Sequence, residues 1–510
     1  MSDTIEVVDV GALGSSVIAT PRCARGRNDS GVATLPRQFN ARTLNMITLG
    51  GSIGTGIFLA SGSAISIAGP GGTLLAYFLT GTMVYFLMTS LGEMAAFMPT
   101  TGSFYTYASR FIDPALGHAL AWNYWYGWAI TVASEVSAAS LAMRFWFPHS
   151  SPFLWCAVFL SVVAGFNILS AKVFGAAEYW FSIIKITVII LFIVFGTAMI
   201  CGVAQDQAIG FQNWTIGDAP FHGGWLAVFG AFMIAGFSFQ GTELIGVVAG
   251  ESKNPSTTIP KAVKQVFWRI LLFFVLSIVV ISFLVPYTSP QLVGANVVMS
   301  PFTLVFKQCG ITFAAAFINA IILVAILSTG NSGMYVASRM FWYLAKQGHI
   351  PAVFAKVNKR GVPVYAVAAT TVVAMSAFLS SFFGNGTIYF WLINAASLSG
   401  FIAWLGIAIS HYRFRKAYVK QGGDLKKLPY LAKGYPYSTL CAFALCLVVI
   451  VGQNYRAFME QSIDWRGVFI SYVGLPAFLL LWFGYKWMKK TKVVKLADCD
   501  FRTGPSLRSG

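Results

Sequence analysis

The sequence predicts an all-α integral membrane protein of 12 transmembrane helices, built as a five-plus-five inverted repeat with helices 1 and 6 broken and two extra C-terminal helices. Three observations predict it. The 510 residues are 57% hydrophobic and 10% charged, with a mean hydropathy of +0.69, whereas soluble domains carry about 25% charged residues. Apolar windows of about 20 residues, enough to cross roughly 30 Å of hydrocarbon, recur along the chain. Two of these windows, the first and the sixth, are interrupted by glycine and polar residues. Paired interruptions at corresponding places in two halves mark a transport site at a repeat interface.

Taken in order, residues 1–42 form a polar tail with Arg22, Arg25, Arg27, Arg37 and Arg42 and no apolar core of the kind a cleavable signal needs, so a disordered cytoplasmic tail is expected. The first repeat, 43–203, holds spans near Leu44–Gly69, Gly71–Met98, His118–Phe147, Pro152–Ala171 and Ala177–Val203. The second, 225–410, holds Trp225–Gly250, Phe267–Tyr287, Ile311–Tyr335, Val364–Phe383 and Ile388–Ile409. Residues 411–488 bring a basic loop and spans Tyr437–Gln453 and Val468–Met488, and 489–510 form a second cytoplasmic tail.

Charge sets the orientation. Of the 35 Lys and Arg, Arg144, Arg456 and Arg466 fall on one side and Lys185 and Lys307 within or near spans; all the rest share the side of the N-terminus. That asymmetry places both termini in the cytoplasm. It also absorbs the net charge of +18 without any nucleic acid, leaving the basic loop from Arg413 to Lys433 free to touch anionic lipid. The seven cysteines show neither metal-ligand nor CxxC spacing. The five histidines lie near span ends or in loops, without HExxH or a Cys/His cluster, which argues against an enzyme. A channel would want a continuous polar pore.

The first break is "GGSIGTGIF", with Gly50, Gly51, Ser52, Ile53, Gly54, Thr55 and Gly56; the second is "GFSFQGTELIG", with Phe237, Ser238, Phe239, Gln240 and Glu243. Glycine inside a helix costs roughly 1 kcal/mol, and in lipid each freed backbone group needs another partner. Close packing of small residues is one reading. The other is that amides at the start of the outer half-helix hold an anion while carbonyls near Ser52, Ile53, Phe237, Ser238 and Gln240 receive an ammonium, which together make a receptor for a zwitterion.

Buried charge adds candidates. Lys185 lies well inside the fifth span, at a cost of about 3 kcal/mol on insertion scales, and either snorkels to the interface or serves the transport cycle. Tyr124, Trp128, Thr131 and Glu135 share one face of the third span, as a packing stripe or as a cavity wall where an ammonium meets aromatic rings. Glu243 is either a half-helix cap or the carboxylate that balances a cationic substrate side chain; Glu135 is the other candidate for that balance, or for relaying a proton. Glu93 near the cytoplasmic end of the second span suits a gate closed by an arginine.

These stretches, with "AGPGG", "SLGEMAAFMP", "WNYWYGWA", "GAAEYWFSIIK", "GESKNP", "SGMYVASRM" and "FIAWLGIAISHYRFR", resemble the amino acid, polyamine and organocation (APC) transporter superfamily from about Arg42 to Trp487. "SPFTLVF" and "VGQNYRAF" extend the resemblance to its bacterial lysine-specific permeases. The resemblance implies a proton-coupled importer of a free amino acid in the bacterial inner membrane, working by alternating access, with L-lysine as substrate. Arginine, histidine, aromatic amino acids and 4-aminobutyrate are the alternatives. It implies that Thr55 and Gly56 hold the carboxylate, that Ser52, Phe237 and Gln240 hold the α-amine through carbonyls, and that the Phe237 ring closes over the substrate. It also implies that Lys185 stands where sodium-driven relatives bind a cation, bridging carbonyls near Gly51 to Ser328 or Thr329, so that protons and not sodium are the coupling ion and no cofactor is needed.

Overall fold

The computed structural model describes residues 41–501, apart from 101, 170, 204–209, 248, 250–253, 293–298, 309–311, 455–457, 459–462 and 464. The expected disorder of 1–42 falls almost entirely outside the described residues. Among those residues every regular element is a helix. Eight segments are long and apolar enough to cross a membrane, which fits a multi-pass membrane protein. One of them, Thr48–Phe97, covers both the first and the second predicted span. Large apolar side chains such as Phe153, Leu191, Val194, Phe317 and Leu480 face outward, while Glu93, Glu135, Glu178, Lys185 and Glu243 are buried. Polar groups inside and apolar groups outside is the pattern that lipid imposes.

Helix α1 (Ala41–Ser52) stops at the first glycine cluster, and the chain resumes as a π-turn (Gly56–Ala60) leading into α2 (Ser61–Phe97). Within α2 the path bends at Gly69, whose φ of 72° precedes Pro70. The Gly71 and Gly72 amides there donate to Pro220 O at 2.9 and 3.2 Å, so a loop from elsewhere satisfies the groups the bend frees. A short α3 (Ser103–Phe111) precedes α4 (Pro114–Met143), which is buried along almost its whole length. Asp113 caps α4 by accepting from Ala115 N at 2.9 Å, with Pro114 in the first turn. The hydropathy pattern put this helix start near His118; the cap sets it four residues earlier.

Helices α5 (Pro152–Leu169) and α6 (Ala171–Ile200) follow, then α7 (Gly224–Phe239) and α8 (Leu244–Val247), separated by the second break. Next come α9 (Pro255–Arg269), α10 (Leu276–Leu284), α11 (Pro301–Gln308), α12 (Thr312–Lys346), α13 (Val364–Ala374), α14 (Ser380–Phe383) and α15 (Asn385–Lys420). Helix α16 (Tyr437–Gly452), α17 (Trp465–Tyr472) and α18 (Gly474–Lys489) complete the chain. Helices α12 and α15 run well past the apolar windows that announced them, because hydropathy marks where lipid ends and not where the helix does. The extension of α12 keeps packing: the Arg339 guanidinium sits over the Tyr335 ring and the Lys346 ammonium over Trp342.

Helix α4 is the axis of the molecule, flanked by α12 and α15. Asn123 Nδ2 donates to Ser399 O at 2.9 Å and Ser399 Oγ returns a bond to Asn123 O at 2.8 Å, a reciprocal clasp that sets α4 against α15.

At the end of the bundle that carries α3 and the C-terminus of α15, two polar assemblies close the helices together. Glu93 accepts from Arg415 Nε at 2.6 Å, Arg415 Nη2 at 2.8 Å and Ala432 N at 2.6 Å, and His411 Nε2 lies 3.4 Å away. The chain beyond α18 doubles back as a strap. Lys486 and Thr491 bind Asp113 at 2.6 and 2.8 Å, Val494 N donates to Ile112 O at 2.8 Å, and Arg413 bonds Val494 O. Burial opposes the Asp113 charge, yet these donors and the Ala115 amide hold its carboxyl below its ordinary range. The strap ends with Phe501 among the rings of Phe97, Phe111, Phe414 and Tyr418.

Candidate functional site

The two interrupted helices meet beside α4. Gly241, with φ of 95°, lets the second break turn against the first: a Cβ there would lie 2.6 Å from Gly51 O. Between the breaks lies a small cavity of about 10 Å³, roughly the room one water needs, lined by Gly51, Ser52, Gly54, Gly56, Trp128, Thr131, Glu135, Phe237, Ser238, Gln240 and Thr329. Trp128, Glu135, Phe237 and Gln240, which line it, are all buried.

Its chemistry is uneven. The Thr55 amide and hydroxyl both donate to Glu135 Oε1, at 3.3 and 3.0 Å, while Glu135 Oε2 has no partner. The Gln240 amide nitrogen donates to Ala396 O at 3.1 Å and leaves its Oε1 unpaired; Trp128 Nε1 is also without an acceptor. Two acceptors and one donor are thus buried and unsatisfied around one cavity, an arrangement costing about 1–3 kcal/mol per group unless something polar fills it. Ser238 Oγ is held by the Tyr77 hydroxyl at 2.8 Å and donates to Ile234 O at 3.0 Å, keeping α7 regular up to the break.

Lys185 Nζ donates to Gly50 O at 2.6 Å and to Thr329 Oγ1 at 3.0 Å, and Thr329 Oγ1 donates in turn to Ile53 O at 2.8 Å. It does not snorkel, and it ties α6 to the first break and to α12. Ser328, the other suggested partner, turns away and donates to Glu178 Oε2 at 2.8 Å.

Several residues singled out from the sequence lie behind the cavity wall. Glu243 accepts from Tyr124 OH at 3.1 Å, from Trp404 Nε1 at 3.2 Å and from the Gly241 amide at 3.2 and 3.1 Å. Both its oxygens are occupied, so here it caps the turn of the second break, and Tyr124 orients it instead of facing the cavity. Phe239 packs on Tyr77 and Phe274, away from the cavity, because two residues past Phe237 the helix points elsewhere. Ile53 contributes its carbonyl to Thr329. Glu93 stands far along α2 in the cluster with Arg415, outside the cavity. Glu178, Asn331, Trp404 and Tyr77 belong to this polar interior but were not singled out by sequence; Glu178 carried a signal, as a carboxylate two turns from Lys185 on the same helix. Among the described residues no group of three or more His, Cys, Asp or Glu is placed to hold a metal ion.

A helical membrane protein with a polar cavity between two broken helices, lined by unpaired acceptors, has the architecture of a carrier for a small polar solute. The amino acid permease family model matches residues 43–498, and the chain belongs to that family, whose members move amino acids across membranes and are not enzymes. It is similar to the lysine-specific permease LysP of Escherichia coli, 55% identical over 92% of this chain and 96% of that one. It is also similar to LysP of Lactococcus lactis, at 46% over 93% and 94%, and to the histidine permease HisP of the same organism, at 44% over 91% and 97%.

Proposed function

We propose that this chain imports L-lysine by proton symport with alternating access, from 12 spans of which the first ten form the inverted repeat and with both termini in the cytoplasm. The observation that carries it is the pair of unfilled acceptors, Glu135 Oε2 and Gln240 Oε1, at a cavity next to the broken first helix. The high identity to two lysine-specific permeases supports the choice of substrate. Lysine brings two ammonium groups, which unfilled acceptors inside the cavity can receive.

The cavity also suggests how proton and substrate are linked. Thr55, the natural donor for a substrate carboxylate, is already engaged by Glu135 Oε1. An incoming carboxylate competes for the same amide and hydroxyl, and two carboxylates cannot share them while both are charged. Glu135 therefore yields its place as it takes a proton. Phe237 lines the cavity as the ring that closes over the substrate, and Lys185 pins the first break until it is discharged. Sodium has no part in this scheme. Glu93 with Arg415 forms the gate on the cytoplasmic side.

Radiolabelled L-lysine uptake into proteoliposomes, with an inward proton gradient and sodium absent, tests the reading. Accumulation that collapses with a protonophore and is displaced by unlabelled lysine but not histidine supports it. Uptake driven only by exchange, or preference for histidine, overturns the coupling or the substrate respectively. Lys185→Met should abolish accumulation; a Lys185→Met protein that still concentrates lysine sinks the role of the ammonium.

A further inference from the structure

Glu178 is fully buried in α6 and plays no part in the cavity. Its Oε2 accepts from Ser328 Oγ at 2.8 Å and its Oε1 from Asn331 Nδ2 at 2.8 Å, both on α12. Asn331 Oδ1 is in turn held by Asn167 Nδ2 of α5 at 2.8 Å. From α1 the backbone at Gly50 packs against the carboxylate, so closely that a Cβ there would lie 2.9 Å from Oε2. The charged side chain acting on Glu178 is Lys185, which also feels Glu135.

One lysine thus stands between two buried carboxylates. With all three ionised, the interior would carry one uncompensated negative charge, an expensive state in a low-dielectric setting. A neutral interior holds one proton beyond the ionised set, and that proton needs two places to reside if it is to cross.

The layers of α6 and α12 give the direction. Glu178 precedes Lys185 by seven residues, two helical turns or roughly 10 Å toward the start of α6. Helical side chains lean toward the N-terminus of their helix, so Lys185 leans toward Glu178. One turn further, Phe174 stacks face to face on Tyr335 with ring centroids 3.8 Å apart, closing the route.

We propose that Glu178 is the inner proton station: it accepts the proton of Lys185 and passes it to the cytoplasm. The inference rests on the proton-symport reading. When the inner half of the first helix shifts and Gly50 O leaves Lys185, the ammonium swings toward Glu178 and loses one N–H proton to the carboxylate. This leaves a neutral amine and a carboxylic acid. Parting of Phe174 from Tyr335 then admits water, which takes the proton from Glu178, and Lys185 is recharged from the Glu135 side in the next cycle.

The test compares wild type with Glu178→Gln and Glu178→Asp in proteoliposomes, by three readouts: lysine counterflow, which needs no net proton transfer, accumulation under an inward proton gradient, and the dependence of accumulation on lumenal pH. Glu178→Gln is expected to keep counterflow within about twofold while losing about tenfold or more of accumulation, the scale of a lost proton-transfer group. Glu178→Asp is expected to recover part of it with a shifted lumenal-pH profile. Undiminished accumulation in Glu178→Gln overturns the proposal. So does an equal loss of counterflow and accumulation that Glu178→Asp does not relieve, since that marks a packing role. If wild type itself fails to accumulate lysine, the symport reading falls instead, and the two failures are told apart.

Discussion

Replacing Gly241 by alanine probes the contact between the two broken helices. At φ of 95° an L-residue sits in a region costing about 1–2 kcal/mol, and the added Cβ would lie 2.6 Å from Gly51 O and 2.9 Å from Gly51 C. Those neighbours are backbone and cannot rotate away, so either the second break unwinds or α1 moves, at a further cost of about 1–3 kcal/mol. Gly348 supplies the control: its φ is 74° but nothing lies within 4 Å of its hypothetical Cβ. Gly348→Ala should therefore lose only the conformational part, and Gly241→Ala about twice as much together with lysine binding. Thermal unfolding of the purified protein with and without lysine reads both quantities. Equal midpoints for the two variants, with lysine still stabilising Gly241→Ala, would refute the idea that the two breaks are in obligatory contact.

Tyr124→Phe and Trp404→Phe each remove one donor from Glu243, leaving a buried carboxylate short of a partner at about 1–3 kcal/mol; lysine affinity should fall in both, and a null effect in equilibrium binding would show that Glu243 needs neither. Arg415→Met strips the bidentate partner from Glu93 and should destabilise that end of the bundle by about 3–5 kcal/mol, seen as faster modification of cysteines introduced there. On the opposite loop, hydrogen bonds from Tyr287 and His222 hold the Asp218 carboxyl below its ordinary range. A depressed carboxylate contributes stability above the unfolded value of about 4 and loses it as pH falls through the folded one, so wild type should lose melting temperature on acidification below that value more steeply than Asp218→Asn.

The broken helices were legible because glycine and hydroxyl residues are costly in lipid and stand out in apolar runs. Lys185 was legible for the same reason. Sequence could not show which acid is spoken for: Glu243, the first candidate to balance a cationic side chain, is claimed by Tyr124, Trp404 and Gly241, while Glu135, the second, keeps an oxygen free. Glu178 was missed because it falls at the edge of the predicted fifth span, where a carboxylate reads as interfacial; its burial depends on Asn331 and Ser328, far away in sequence. The strap after α18 was missed altogether, since a basic tail gives no periodicity and its order comes from Asp113 and a nest of rings on other helices.

That strap sets a toll on movement. Phe501 is wedged among rings belonging to α2, α3 and α15 at once, and aromatic contacts of this kind are worth about 0.5–1.5 kcal/mol each. Any stroke that parts the end of α2 from α15 must first pull the wedge out. The segment trailing the last helix would on this ground slow such a stroke, and a carrier trimmed before Thr491 is expected to run faster and leak more.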